Sequence, residues 1–230
     1  RSIDWYTKFG FKCIGDTIDR KQFLKGGKHS KWQPLILLKE DKNMPTGQEL
    51  YDAGMTRLSL YTTTIDNDIE DLSNKGIEPM AKPADTWGKL AAYKDPDGFI
   101  VYLLKFGFPL YPIFLKKRVC NRVTNPQVFT WNFNTTNFEV FIKHIEKLGF
   151  SKIFYECGHE HKNKVTYSML TAFGLSETET IIKLARISSL PFDNFNITVM
   201  EWTNPKTEHK GAEKLNTMSI SVKDVHSEMK

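Results

Sequence analysis

The chain has 230 residues, of which 40% are hydrophobic, 13% aromatic and 26% charged, a composition typical of a globular protein rather than a disordered one. The formal net charge of +5 is modest, and the densest basic run, residues 116–122, lacks the alternation of basic and aromatic residues typical of nucleic-acid surfaces. No apolar run approaches the roughly 20 residues that span a bilayer. Neither a nucleic-acid partner nor a membrane partner is therefore expected.

The cysteine pattern favours an intracellular protein. Cys13, Cys120 and Cys157 are widely separated and odd in number, as is typical of reduced thiols. The cytoplasm is therefore the expected location. Because the sequence begins at Arg1 without a methionine, a removed N-terminal targeting segment stays open.

The first half of the chain predicts two helices, each ended by a glycine and followed by strands. The first helix ends at Gly10, and β-type runs follow at residues 12–18 and 34–40. A strand at 56–64 then leads into a helix that ends at Gly76. The runs 89–95 and 99–106 form a hairpin around the turn sequence Asp-Pro-Asp-Gly at 95–98.

The second half predicts the same order again. A strand at 128–134 precedes an amphipathic helix that ends at Gly149, and Thr136 with Glu139 has capping-box spacing. The following β-type runs are residues 152–158, 165–173, 180–187 and 196–203. Residues 214–230 repeat the strand-then-helix beginning of a unit.

These elements form a repeat with the order β-α-β-β-β. The repeat predicts an α+β fold in which tandem βαβββ units pair into curved mixed sheets with helices on the convex face. The predicted domains are residues 1–106 (two units, the first without its leading strand), a linker at 107–126 rich in proline and basic residues, and residues 127–230 (one unit and the start of another). The concave face of each sheet forms a cup that can hold a small molecule.

The repeat, the helix end WYTKFGF (5–11) and the hairpin WGKLAAYKDPDGFIVYLL (87–104) resemble the vicinal oxygen chelate superfamily, which includes glyoxalases, extradiol dioxygenases and fosfomycin- and bleomycin-resistance proteins. The resemblance covers residues 1–106 well and residues 127–204 more weakly. It implies a divalent metal in the cup, held by a His or Gln of the leading strand and a Glu of the closing strand. Such ligands leave positions open for a substrate's vicinal oxygens.

In the first domain, the positions that the resemblance assigns to metal ligands hold other types of residue. The closing hairpin has Tyr102 where the resemblance implies Glu, and the leading strand has Arg57 where it implies His. A guanidinium has no lone pair to offer a metal. The first unit has Leu37 or Leu38 at the closing position, so no cofactor is expected in the first domain.

The sequence of the second domain is compatible with a divalent metal. Glu201 lies where a closing-strand Glu is implied, and it is the one candidate metal ligand. The corresponding leading-strand positions hold Phe129 and Thr217. The alternative is that Glu201 is an ordinary charged strand residue, and the sequence favours that alternative.

Arg57 and Tyr102 support a different hypothesis. If the register of the resemblance holds, both point into the cup and bind a carboxylate or other oxyanion, the first by charge and the second as a neutral donor. Trp87, at the beginning of the hairpin, completes the predicted ligand-binding residues. In the alternative, Arg57 reaches the sheet edge and Tyr102 fills the core.

Two other segments have weaker signals. CGHEHKNK (157–164) contains a cysteine and two histidines, but its position between two β-type runs favours a surface loop. KGGKHS (25–30) lacks the spacing of a phosphate-binding loop.

The sequence therefore predicts a glyoxalase-like protein that binds a small molecule without the usual metal set in the first domain. The alternative function is a metal-dependent lyase, isomerase or dioxygenase whose site lies in the second domain or is completed by residues outside this sequence. A module whose cups are filled by side chains is a third reading. Whether the protein is an enzyme, and whether it forms a homodimer, stays open.

Overall fold

The computed structural model describes residues 1–18, 21–25, 35–39, 53–85, 88–106, 127–157, 170–175, 182–188 and 196–202. Within these ranges the helices are α1 (Ser2–Lys8), α2 (Ile65–Asn74) and α3 (Phe138–Lys147). The strands are β1 (Lys12–Ile18), β2 (Lys21–Lys25), β3 (Leu35–Lys39), β4 (Gly54–Tyr61), β5 (Ala84–Asp85), β6 (Gly88–Lys94), β7 (Ile100–Phe106), β8 (Gln127–Asn134), β9 (Ser151–Cys157), β10 (Ile182–Ser188) and β11 (Asn196–Trp202).

Most strands belong to one large mixed sheet. Eight strands lie in the order β5-β6-β7-β4-β8-β11-β10-β9, and β1, β2 and β3 form a separate antiparallel sheet. In each half of the large sheet the leading strand pairs in parallel with the closing strand, β4 with β7 and β8 with β11. The predicted α+β fold with a curved mixed sheet is confirmed.

The two halves of the large sheet meet where β4 pairs antiparallel with β8, with Leu58 opposite Trp131. The sheet therefore joins the second and third units across the predicted linker 107–126. The predicted domain at residues 1–106 groups the first and second units. The domain boundaries themselves stay a prediction.

One face of the large sheet, here called the helix face, is covered by all three helices. Alternate strand residues point to this face, as the period of a strand requires. Leu58, Val101, Phe133 and Val199 pack there with buried residues of the helices, which include Tyr6, Ile65, Leu72, Phe138, Ile142 and Ile145.

The opposite face, here called the cup face, carries a second apolar cluster. Its buried members are Tyr61, Ala84, Leu90, Ala92, Ile100, Tyr102, Leu104, Leu170, Ala172, Phe173, Leu184, Met200 and Trp202. Leu170, Ala172 and Phe173 come from the 170–175 segment, which lies over this face. The concave side is therefore partly covered by the chain itself.

Glycines end the helices as predicted. Gly10, Gly76 and Gly149 all have positive φ, which glycine adopts at little cost. At Gly76, for example, the amide of Gly76 donates to Ser73 O at 2.9 Å and that of Ile77 to Leu72 O at 2.9 Å, the two bonds of a Schellman motif.

Two local predictions were wrong. The run 165–173, predicted as a strand, contains a helical turn at residues 170–172 that ends at Gly174 with φ +74. The N-cap of α3 is Asn137 rather than Thr136: the Asn137 side chain accepts from the amide of Val140 at 3.1 Å. In the described ranges, no helix combines the length and the hydropathy that crossing a membrane demands.

Candidate functional site

Four central strands supply the polar part of the cup face. The cup-face residues of β4, β7, β8 and β11 are Arg57, Ser59, Tyr61, Ile100, Tyr102, Leu104, Thr130, Asn132, Asn134, Thr198, Met200 and Trp202. Every one of these side chains is buried. The strands that meet at the centre of the sheet thus bring a polar group into an otherwise apolar surface.

Arg57 is the centre of this group. Its side chain is 0% exposed. The Nη2 atom donates to Asn134 Oδ1 at 2.6 Å and contacts Met200 Sδ at 3.0 Å. The Nε and Nη1 atoms have no hydrogen-bond partner among the described residues. Three of the five N–H groups of this guanidinium are therefore buried without an acceptor among the described residues.

Aromatic rings surround the same guanidinium. Its Cζ atom lies 5.7 Å from the ring centre of Phe173 and 5.5 Å from that of Trp202, within the range of cation–π attraction. Burial lowers the pKa of Arg57 to about 10, while the nearby Tyr102 acts in the opposite direction. Since this value is still well above neutrality, Arg57 stays charged at pH 7.

Asn132 organises the neighbouring polar groups. Its Oδ1 accepts from the Tyr102 hydroxyl at 2.8 Å, and its Nδ2 donates to Arg57 O and Thr130 O at 3.3 Å. Nδ2 also lies 3.4 Å from Ser59 Oγ. These bonds hold Tyr102 in a fixed position on the cup face, next to Arg57.

Asn134, two residues further along β8, also orients neighbouring side chains. Its Oδ1 accepts from Trp202 Nε1 at 2.9 Å as well as from Arg57. One amide oxygen thus fixes a charged side chain and an aromatic one together. The arrangement orients the guanidinium relative to the indole ring.

The 170–175 segment covers Arg57. The ring of Phe173 lies 6.3 Å from that of Tyr102 in an edge-to-face arrangement, besides its contact with Arg57. A Cβ atom added at Gly174 would lie 3.5 Å from Cβ of Ala81, so the segment reaches the loop before β5. A molecule that contacts the Arg57 guanidinium therefore lies beside the Phe173 ring or takes the position of that ring.

The cup-face residues that the four central strands supply do not fit a transition-metal site. The cup-face residues of the four central strands include neither a carboxylate nor an imidazole, the ligands that such a metal needs. The guanidinium of Arg57 places a positive charge at the centre of this face, which repels a cation. Across the described ranges, no group of three or more His, Cys, Asp or Glu residues is arranged to hold a metal ion.

Glu201 lies away from this site. Its neighbours Met200 and Trp202 point to the cup face, so Glu201 points to the helix face. There its Oε2 accepts from the amide of Phe138 at 2.6 Å, and its Oε1 lies 3.3 Å from Lys183 Nζ. The carboxylate thus caps the beginning of α3.

The structure brings together two of the predicted site residues, Arg57 and Tyr102, on the cup face. Trp87 and Thr217 lie outside the described residues. Phe129 lies in β8, and its side chain is outside the description. Leu37 and Leu38 lie in β3, in the other sheet.

Sequence reasoning missed Asn132, Asn134, Phe173 and Trp202. The signal for the asparagines was present in "WNFN" at residues 131–134, where polar and aromatic residues alternate. Such alternation is ordinarily typical of a half-exposed strand, whereas Asn132 is 0% exposed and Asn134 is 3% exposed. The contact of Phe173 with Arg57 had no local signal, because the two residues are distant in sequence.

No family model and no curated protein matches this sequence. By structure, the chain is similar to glyoxalase I from Zea mays, with a TM-score of 0.56 and 15% identity over 90% of this chain and 64% of that chain. It also matches methylmalonyl-CoA epimerase from Mycobacterium tuberculosis, with a TM-score of 0.45 and 11% identity over 70% of this chain and 93% of that chain. The chain spans slightly less than two thirds of the length of the maize protein.

Proposed function

We propose that this chain, whose fold is that of the vicinal oxygen chelate superfamily, binds a small molecule on the cup face without a metal. The observation that carries the proposal is the buried polar group of Arg57, Tyr102, Asn132 and Asn134 within an apolar cluster. A concave, mostly apolar surface with a few convergent polar groups is typical of small-molecule sites.

The energetic cost of this group supports the proposal. A sheet face that served only as core would be more stable with apolar side chains, since each buried polar atom without a partner costs about 1–3 kcal/mol. Counting only partners in the described ranges, Arg57 has two nitrogen atoms of this kind. A ligand that accepts their hydrogen bonds would recover that cost.

The proposed ligand-binding residues are Arg57, Tyr102 and Trp87. Arg57 and Tyr102 are held in place by amide oxygens of the same strand, Asn134 and Asn132 respectively. Trp87 is proposed from its sequence position at the beginning of the hairpin. In line with the cysteine pattern, the proposed location is the cytoplasm.

The direct test is thermal unfolding of the purified protein with a panel of uncharged and anionic metabolites, in the presence of EDTA. A ligand of the folded state adds RT ln(1 + [L]/Kd), about 2.7 kcal/mol at a concentration of 100 Kd. We expect at least one compound to raise the melting temperature with EDTA present.

A pair of enlarged variants locates the binding. Ala92→Leu adds volume on the cup face, where Ala92 is 0% exposed, whereas Val140→Leu adds it on α3, where Val140 is 61% exposed. Ala92→Leu should reduce the ligand-induced shift, and Val140→Leu should leave it unchanged. If no compound shifts the wild-type melting temperature, the cup is a filled core and the proposal is wrong.

The metal-dependent lyase, isomerase or dioxygenase is the rival function. Elemental analysis of the purified full-length protein distinguishes it from metal-free binding. Stoichiometric Zn, Ni, Fe or Mn, together with an activity that EDTA removes and the metal restores, would establish the rival and overturn the proposal.

A further inference from the structure

We infer that the ligand of the cup face is a small organic monoanion, a carboxylate, whose oxygens accept hydrogen bonds from Nε and Nη1 of Arg57 beneath the 170–175 segment. This inference rests on the proposed function, because it names the class of ligand for the same site. The juxtaposition that carries it is a fully buried guanidinium that has an aromatic cover and three N–H groups for which the described residues supply no acceptor.

The first step concerns charge. Arg57 is fully buried and stays protonated at neutral pH. A buried charge is costly unless it is paired and hydrogen-bonded. In the described part of the chain no carboxylate forms an ion pair with Arg57, and the aromatic rings of Phe173 and Trp202 supply only partial compensation. Within the described part of the cup face, one negative charge is missing to balance Arg57.

The second step concerns the donors that remain. Nη2 is held by Asn134 and Met200, whereas no described residue accepts from Nε or from either hydrogen of Nη1. These donors lie in the guanidinium plane, so their acceptor has to approach along that plane. A carboxylate is compact, planar and acceptor-only, and its charge of −1 matches that of Arg57. A phosphate dianion would leave one negative charge buried without compensation.

The third step concerns Tyr102, which sequence reasoning had placed as a second donor to the anion. The hydroxyl hydrogen of Tyr102 is donated to Asn132 Oδ1 at 2.8 Å. Tyr102 therefore acts as a positioning residue that forms one wall of the site, and Arg57 alone supplies the ligand's charged hydrogen bonds.

The fourth step concerns size and access. Leu170, Ala172 and Phe173 are buried against the cup face, and the Phe173 ring lies beside the guanidinium. The ligand has to be small enough to lie beside these residues, or it takes the position of the Phe173 ring. Phe173→Ala is therefore expected to admit larger carboxylates than the wild type does.

The experiment is isothermal titration calorimetry with matched pairs of acid and amide: acetate and acetamide, propionate and propionamide, benzoate and benzamide. The wild type should bind at least one carboxylate more than tenfold more tightly than its amide. Arg57→Met should lose that preference, and Val140→Leu, on the exposed side of α3, should keep it. Phe173→Ala should shift the preference toward benzoate.

A measurement on the wild type keeps the test independent of the variants' folding. Addition of the best carboxylate should shift the Nε–H resonance of Arg57 in a two-dimensional NMR spectrum, and the matched amide should not. Equal affinity for acid and amide, or a preference that survives in Arg57→Met, would overturn the inference.

The outcomes separate this inference from the proposed function. If acids and amides bind equally well and Ala92→Leu weakens both, small-molecule binding stands and the carboxylate assignment fails. If neither acids nor amides nor the wider metabolite panel bind, both fail. Binding of inorganic phosphate more tightly than any carboxylate would contradict the charge match.

Discussion

Asp95 begins the turn between β6 and β7 and is 7% exposed. Its Oδ1 accepts from the amides of Asp97 at 2.9 Å and Phe99 at 2.8 Å, and its Oδ2 accepts from the Tyr6 hydroxyl at 3.0 Å. Burial outweighs these bonds and raises the pKa of Asp95 to about 6. A carboxyl that organises a turn by accepting hydrogen bonds is thus held where its charge is unfavourable.

The raised pKa predicts a pH dependence of stability. A group whose pKa is higher in the folded protein contributes its full stability below its unfolded pKa, about 3.9, and loses it as the pH rises through about 6. The loss amounts to about 3 kcal/mol at most. Asp95→Asn does not titrate, so the wild type should lose stability relative to this variant between pH 4.5 and 7.5.

Urea denaturation at the two pH values measures the difference in the free energy of unfolding. The control is Asp85→Asn, because Asp85 is exposed. A difference between the wild type and Asp95→Asn that is the same at both pH values would show that Asp95 titrates normally.

Arg57 allows a second prediction at the residue scale. Replacing a buried charge by an apolar side chain of similar length removes its desolvation cost, so Arg57→Met should be at least as stable as the wild type in the absence of ligand. Arg57→Lys keeps the charge but loses the planar fork, and it should be less stable by about 1–3 kcal/mol. Thermal unfolding without ligand checks both, and a strongly destabilised Arg57→Met would mean that the guanidinium is satisfied within the fold.

At the scale of elements, the helix ends were predictable because they depend on local chemistry. Gly10, Gly76 and Gly149 each precede an apolar residue and adopt positive φ. Gly174, in "FGL" at 173–175, has the same signature, with Leu175 N donating to Leu170 O at 2.8 Å. The β-type composition of residues 165–173 had favoured a strand, so the glycine signal was the more informative of the two.

This signature predicts the cost of removing a glycine. Gly76→Ala should destabilise the protein by about 1–2 kcal/mol, because an L-residue is strained at φ +74 although nothing lies within 4 Å of the added Cβ. Asn74→Ala, in the last position of α2, is the control without positive φ. Denaturation midpoints measure both, and equal midpoints for Gly76→Ala and the wild type would contradict the strain argument.

The register of β11 decides which face of the sheet Glu201 points to. Its carboxylate caps α3 through the amide of Phe138, where negative charge is favoured by the helix dipole. Glu201→Ala should therefore lower the free energy of unfolding by about 1 kcal/mol, and Glu201→Gln, which keeps an acceptor, by less. Ligand binding on the cup face should be unchanged in both variants. If the wild type holds a metal that Glu201→Ala loses, Glu201 is a metal ligand after all, as the alternative predicted.

The position of the candidate site on the molecule was partly predictable. The hairpin sequence around Asp95 set the register of β7, and that register gave the cup-face position of Tyr102; Arg57 followed from its place in β4. No such turn sequence indicated the register of β11. A shift of one residue moves a side chain to the other face, and Glu201 accordingly points to the helix face rather than into the cup. Asn132 and Asn134 look like solvent-facing residues until the covering segment is known.

The choice of partner between units could not be read from the sequence. Each leading strand is compatible with any other leading strand, because strand pairing depends on backbone hydrogen bonds and on apolar faces that all units share. The structure pairs β4 with β8. Leu58 and Trp131 are opposite each other in this pair, and both belong to the apolar cluster of the helix face.

That pairing predicts how the whole sheet opens. β4 and β8 lie at the centre of one eight-stranded sheet. The amide hydrogens of β7, β4, β8 and β11 should therefore exchange with solvent slowest and as one cooperative unit. Those of the edge strands β5 and β9 should exchange faster. Hydrogen exchange followed by mass spectrometry as a function of urea measures this. The separate sheet of β1, β2 and β3 serves as the internal comparison, because its exchange need not follow that of the large sheet. Two protection classes divided at residues 107–126 would instead show that the units on either side unfold independently, and that the contact between β4 and β8 adds little to the stability of either.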